Sequence, residues 1–422
     1  MNLKAFMLFE RDQANTLRKR LAERPDRIII VSGPRQVGKT TLVQTVLQGL
    51  DQQVQESRFL RADEPHAETT IWANDSAVSA RAGGTRKDEE WLVWNWHEAR
   101  KIAQRNAGFI LAIDEIQKIP NWSATIKGLW DSDRSNNIQL HVVLLGSSPL
   151  LVQKGLSESL AGRYELLRCG HWSYQEMQSA FDVNLEQYIY FGGYPGAAQY
   201  IADEPRWRNY VSDSLVAPSI DQDIYQLTRV DKPALLKHLY RLSCNYSGQI
   251  LAYSKMAPQL GDGKSNETTL AHYLNLLAQA GLVAGISKYA GQQLRRRNSP
   301  PKINVMNTAM MAVEGGYSFN EARQDRSYWG RLFESCAGAH LLNTSAGKCD
   351  IYYWRESPVE VDLVISKGTR LVAVEIKSGK SKGVNTGLDA FQNHFPQAKK
   401  LIVGAEGISM PEFLSYPADH WF

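Results

Sequence analysis

The chain has 422 residues, too many for one ordinary domain, so two to four are expected. A hydrophobic share of 43% with a charged share of 22% is that of a folded globular protein, and a net charge of +4 is too mild to establish a nucleic-acid partner by itself. No apolar run approaches the length of a bilayer span and the first residues lack a signal-peptide core, which points away from the membrane and to the cytoplasm. Cys169, Cys244, Cys336 and Cys349 are scattered, with no C-x-x-C pair, so reduced core thiols are expected rather than disulfides or a zinc site.

In chain order, residues 11–24 carry Leu17 and Leu21 at helical spacing and predict a short helix. Arg27-Ile28-Ile29-Ile30-Val31 reads as a buried strand that runs into Gly33-Pro34-Arg35-Gln36-Val37-Gly38-Lys39-Thr40-Thr41. This turn fits G-x-x-x-x-G-K-[ST] between a strand and a helix start, the context its chemistry requires. Gly33 and Gly38 let backbone N–H groups fold around phosphates, Lys39 reaches the β- and γ-phosphates, and the Thr40 hydroxyl meets Mg²⁺. The prediction is a nucleoside triphosphate site, with ATP as the default base. Residues 58–65 resemble a second strand ending in an acidic turn, and residues 66–105 read as helical.

Phe109-Ile110-Leu111-Ala112-Ile113-Asp114-Glu115 is the continuous apolar run of a central parallel strand, delivering two carboxylates at its C-terminal end. Asp114 is expected to hold the Mg²⁺ shell, and Glu115 to orient or deprotonate the attacking water. A further strand, Leu140-His141-Val142-Val143-Leu144-Leu145, ends at Gly146-Ser147; Ser147 either senses the γ-phosphate or only caps the next helix. Arg163 stands before another apolar strand, where it is either an arginine finger reaching a neighbour's nucleotide or a surface salt bridge.

These runs, with Phe191-Gly192-Gly193-Tyr194-Pro195, resemble prokaryotic AAA+-type ATPases that carry a DUF4143 C-terminal region, over nearly the whole chain. The resemblance implies a nucleotide core similar to the archaeal Orc/Cdc6-like P-loop ATPases and favours Arg163 as a finger supplied in trans, hence a homo-oligomer. The expected fold is α/β, in four modules: an AAA+-like core at 1–170, a helical lid or connector at 171–230, a winged helix at 231–312 and a nuclease-like domain at 313–422.

Within 171–230, Tyr174, Met177, Phe181, Leu185 and Tyr188 recur about four apart, as in helical core. Residues 233–242 predict an amphipathic helix, and Leu270, Tyr273, Leu274 and Leu277 form a second apolar stripe. A hairpin with arms at 282–289 and 302–306 follows, its tip carrying Arg295, Arg296 and Arg297. Three helices and a basic hairpin outline a winged helix. Its arginines suit duplex or branched DNA through phosphate contacts, and the alternative is a packing or dimerisation wing.

Residues 327–344 read as helical, followed by two alternating strands. In the first, Glu360 and Asp362 share a face opposite Val361, Leu363 and Ile365; in the second, Glu375 and Lys377 point together. With Glu334 on the helix, this order resembles the PD-(D/E)xK restriction-endonuclease fold. That resemblance implies Asp362 and Glu375 as possible Mg²⁺ ligands, Glu334 supporting them and Lys377 positioning water, in an active nuclease or a DNA-binding relic. The functional expectation is an ATPase acting on DNA in repair, recombination or defence. The alternatives are a nucleotide-gated protein-interaction switch and an ATP-regulated nuclease.

Overall fold

A computed structural model describes residues 9–50, 56–63, 71–72, 88–106, 108–146, 159–225, 230–260, 266–290, 299–379 and 386–422. The described chain forms two compact units, one ending at Cys169 and one beginning at Gly170.

In the N-terminal unit, helix α1 (Asp12–Ala22) buries Ala14, Leu17 and Leu21, the stripe that its spacing predicts. Strand β1 (Ile28–Ser32) is buried along its whole length and leads into helix α2 (Lys39–Gln48). Next come β2 (Ser57–Arg61) and a two-residue strand β3 (Ile71–Trp72). The latter corrects the expectation of helix at residues 71–72, where Ser57 pairs with Trp72 and sheet pairing prevails; helix α3 (Glu89–Arg105) fits the expectation for that region. Asp88 caps it by accepting from Trp91 N. Strand β4 (Phe109–Asp114), helix α4 (Trp122–Ser135) and strands β5 (Leu140–Gly146) and β6 (Tyr164–Arg168) complete the unit.

The sheet order is β3-β2-β4-β5-β1-β6, with every pairing parallel except β2 with β3. Strand parity explains why both faces must be covered. Ile29, Val31, Ile110, Ala112, Val143 and Leu145 pack with α1 and α2, while Ile28, Ile30, Leu111, Ile113, Val142 and Leu144 pack with Trp96 of α3 and Trp130 of α4. Because the strands are parallel, the loop after Ser32, the carboxylates at 114–115 and Gly146 all emerge at one edge of the sheet.

The C-terminal unit opens with α5 (Tyr174–Phe181) and α6 (Leu185–Phe191), each started by a capping box, at Ser173 with Glu176 and at Asn184 with Gln187. The stripe from Tyr174 to Tyr188 is therefore split at Asp182, which adopts φ 56. After α7 (Glu204–Asn209) the chain runs through π-helical turns at Tyr210–Val216 and Ser219–Ile224. Three helices follow, α8 (Pro233–Asn245), α9 (Tyr253–Gln259) and α10 (Glu267–Gln279), then the antiparallel pair β7 (Val283–Lys288) and β8 (Lys302–Val305). Ile250 adds a single antiparallel bridge to Lys302. Helices α11 (Thr308–Gly315), α12 (Phe319–Gln324) and α13 (Arg326–Thr344) lead to β9 (Asp350–Glu356), β10 (Val359–Lys367) and β11 (Arg370–Lys377). Helix α14 (Thr386–His394), strand β12 (Lys399–Gly404) and the short helix α15 (Met410–Phe413) close the chain.

Strands β7 to β12 form one sheet in the order β12-β11-β10-β9-β7-β8. The hairpin expected in module 231–312 thus shares a sheet with the strands expected in 313–422, through a seam where Ser287 meets Tyr352 and Lys288 meets Tyr353. The strict alternation expected in β10 does not hold. Its register to β9 shifts between Val361 and Val364, and these two valines enter the same core with Trp354 and Phe391. An extra residue on one strand at such a shift reverses the side-chain parity that follows it. Among the described residues no helix is long and apolar enough to cross a membrane, and all four cysteines are free, three of them buried.

Candidate functional site

The loop at the C-terminal end of β1 is shaped by two different constraints. Gly38 adopts φ 85, a left-handed conformation that favours glycine, and Gln36 is also left-handed at φ 55. Gly33 is needed for closeness instead. A Cβ there would stand 1.9 Å from the Cys169 carbonyl oxygen, because Cys169 N donates to Ser32 O at 2.8 Å and draws that backbone alongside. Pro34 and Arg35 are half-buried, Val37 is fully buried, and Thr41 lies in the first turn of α2. Lys39 is 6% exposed, and its ammonium donates to Gly33 O at 3.0 Å and Pro34 O at 2.7 Å. It is folded back over the loop in which phosphates are expected.

Thr40 and Asp114 are 74 positions apart in sequence, yet Thr40 Oγ1 donates to Asp114 Oδ2 at 2.6 Å. Asp114 is buried, and burial pushes its carboxyl above the ordinary range. The Thr40 hydroxyl, the Glu115 N–H and the Lys39 charge pull it back, and Asp63 beyond β2 pushes it up again. Asp63 belongs to the acidic turn expected after the second strand. Glu115 sits at φ 53, an uncommon backbone for a non-glycine residue, and its carboxylate accepts from Gln117 Nε2. A hydroxyl and a carboxylate at hydrogen-bond distance beside an ammonium are a donor set that fits Mg²⁺, which takes few protein oxygens and completes its shell with phosphate and water. Arg11 was not anticipated as part of this region. Its side chain is buried and Nη1 donates to Val37 O at 3.0 Å. No motif marks it, since it reads only as the start of an amphipathic helix.

Arg163 is not near its own loop. It precedes β6, and its carbonyl accepts from Ile28 N at the opposite end of the sheet. Its guanidinium forms a two-pronged ion pair with Asp131 of α4, Nε–Oδ1 2.7 Å and Nη2–Oδ2 3.0 Å. Ser147 and the hairpin-tip residues Arg295, Arg296 and Arg297 lie outside the described residues.

In the C-terminal unit, Glu334, Glu360, Asp362 and Glu375 do converge, but around a residue read only as the start of a hairpin arm. Lys302 Nζ lies 2.7 Å from Glu334 Oε1, 3.4 Å from Glu360 Oε1, 3.5 Å from Asp362 Oδ1 and 3.2 Å from the Asp362 carbonyl oxygen. Asp362 Oδ2 also accepts from Ile376 N at 2.8 Å, and Lys377 Nζ stands 4.0 Å from Glu375 Oε1. Burial pushes the Glu334 and Glu375 carboxyls up to about 7; Asp362 adds to this while Lys302 opposes it.

Residues 25–178 match the family model for an AAA domain, 182–316 match a domain of unknown function, DUF8612, and 329–412 match a second, DUF4143. Two curated relatives, uncharacterized protein Mb2031c of Mycobacterium bovis and uncharacterized protein Rv2008c of Mycobacterium tuberculosis, are each 25% identical over 421 residues, covering 99% of this chain and 82% of theirs. Among solved structures, the Walker-type ATPase paby2304 of Pyrococcus abyssi aligns with a TM-score of 0.50 and 16% identity, over 73% of this chain and 96% of that one, a likeness of fold.

Proposed function

From the match of residues 25–178 to an AAA domain and of 329–412 to DUF4143, we propose that the chain binds and hydrolyses ATP and acts on DNA. The observation that carries the nucleotide part is the convergence of Lys39, Thr40 and Asp114 at the C-terminal edge of a parallel sheet. Lys39 exchanges its loop carbonyls for phosphate oxygens, and the N–H groups around Gly38 line the same space. Thr40 and Asp114 would hold Mg²⁺, which would supply neutralisation of phosphate charge. Glu115, one residue past the buried Asp114, orients the attacking water and accepts its proton. Arg163 stands at the far end of its own sheet, paired with Asp131, so a finger role for it would need a neighbour's nucleotide site. We read it as a finger supplied in trans, which requires a homo-oligomer; the alternative is a surface salt bridge to Asp131.

For DNA, the support comes from α8, α9, α10 and the β7–β8 hairpin, which we read as a winged helix. Helix α10 buries Leu270, Tyr273, Leu274 and Leu277 and turns Thr268, His272 and Asn275 outward, a polar face suited to base edges, with the tip arginines suited to phosphates.

The test has two arms. Lys39→Ala abolishes nucleotide binding, whereas Glu115→Gln binds ATP and stops turnover; normal hydrolysis by Glu115→Gln overturns the assignment of the base. DNA binding weakens steeply with salt, and the Arg295/Arg296/Arg297 triple alanine variant lowers the salt slope by about three, near one per lost phosphate contact. No binding at low salt overturns the DNA reading.

A further inference from the structure

The carboxylates of the C-terminal unit carry an implied divalent metal only if their oxygens are free to hold one, and they do not fit it. Lys302 is 2% exposed, and its ammonium stands within 3.5 Å of oxygens from Glu334, Glu360 and Asp362. Mg²⁺ needs oxygens at about 2.0–2.1 Å in a near-octahedral shell. Here those oxygens are already spaced for an ammonium, and one of the two Asp362 oxygens is committed to the Ile376 N–H.

We propose that the Lys302 ammonium is the resident cation of this cluster, excluding a divalent metal from it, and that the cluster is a charge lock pinning β8 to β10 and α13. Two further contacts fix the same seam: Tyr353 Oη donates to Pro300 O at 2.5 Å, and Tyr289 N donates to Tyr353 O at 2.6 Å. The lysine comes from the hairpin and the acids from elements far along the chain, so the lock closes only when the two halves of the sheet are assembled.

The experiment is a Mn²⁺ titration of the nucleotide-free full chain, followed by loss of the free-ion electron paramagnetic resonance signal. Wild type and Asp362→Asn give superimposable curves, any weak binding at the P-loop being common to both. Lys302→Met gains about one bound Mn²⁺ per chain, reversed by adding Asp362→Asn, since removing the ammonium leaves four carboxylates facing one another. A wild-type site that Asp362→Asn abolishes overturns the proposal, as does a Lys302→Met protein with native circular dichroism that takes up no Mn²⁺. Should Lys302→Met not fold, the comparison of wild type with Asp362→Asn decides the matter alone, and Lys302→Arg, which keeps the charge, folds.

Discussion

His340 offers a quantitative check on how the C-terminal end of the chain is held. It lies on α13, 5% exposed, its Nε2 2.7 Å from the Tyr416 carbonyl oxygen and its ring 5.6 Å from that of Phe413. Burial pushes its pKa down to about 4, against 6.5 for an unburied histidine, so the folded imidazole is neutral and donates Nε2–H to that carbonyl. Between pH 6.5 and 4 the unfolded chain takes up a proton that the folded chain refuses, so stability is full above this window and is lost as pH falls through it. The total effect is about 3 kcal/mol, of which about 2 kcal/mol is lost on going from about pH 7 to about pH 5. Glu334 and Glu375, raised to about 7, work in the opposite sense: the folded state holds their protons longer, and stability rises as pH falls from 7 toward 4.5. Wild type alone therefore shows a blend of the two. The informative quantity is the difference between wild type and His340→Gln in urea unfolding, followed by tryptophan fluorescence. That difference shrinks by about 2 kcal/mol between about pH 7 and about pH 5. A difference constant to within about 0.5 kcal/mol would refute a neutral buried His340.

Two further outcomes bear on the nucleotide unit. Gly33→Ala forces a Cβ against the Cys169 carbonyl, so it lowers the unit's melting temperature by roughly 10 °C in calorimetry and removes ATP binding with it; an unchanged melting temperature would mean that β6 is not held against the loop. For Arg163, mixing two inactive proteins is the sharper measurement. Arg163→Ala keeps its own base and Glu115→Gln keeps its finger, so mixed assemblies regain part of the wild-type turnover. Additive inactivity at every mixing ratio would exclude a finger supplied in trans.

The nucleotide site was legible because its chemistry is local. Strand, turn and helix lie side by side in sequence around Gly33–Thr41, and the unbroken apolar run before Asp114 announces a strand covered on both faces. What periodicity cannot supply is lateral order. Nothing in residues 140–146 says that β5 lies between β1 and β4, so the contact of Thr40 with Asp114 was inferable only from motif chemistry. The C-terminal unit was legible at the level of its carboxylates and opaque at their partner. Lys302 is 58 positions from Glu360, and a lysine opening a hairpin arm reads as solvent-facing until the acids around it are known. The parity of β10 failed for a similar reason, since a register shift is a property of two paired strands and leaves no mark on one of them. Strands β9 and β12 went unrecognised, as both have largely half-buried or exposed faces without a clean period of two.

The seam between β7 and β9 has a mechanical side. Among the described residues, the strand pairing that joins the hairpin to the remaining strands is Ser287 with Tyr352 and Lys288 with Tyr353. A pull along the strand axis loads both pairs at once, together with the Lys302 ions, as shear loads every rivet in a lap joint. A pull across the strands opens the pairs one after another, as peeling does. The seam is thus stiffer along the strands than across them.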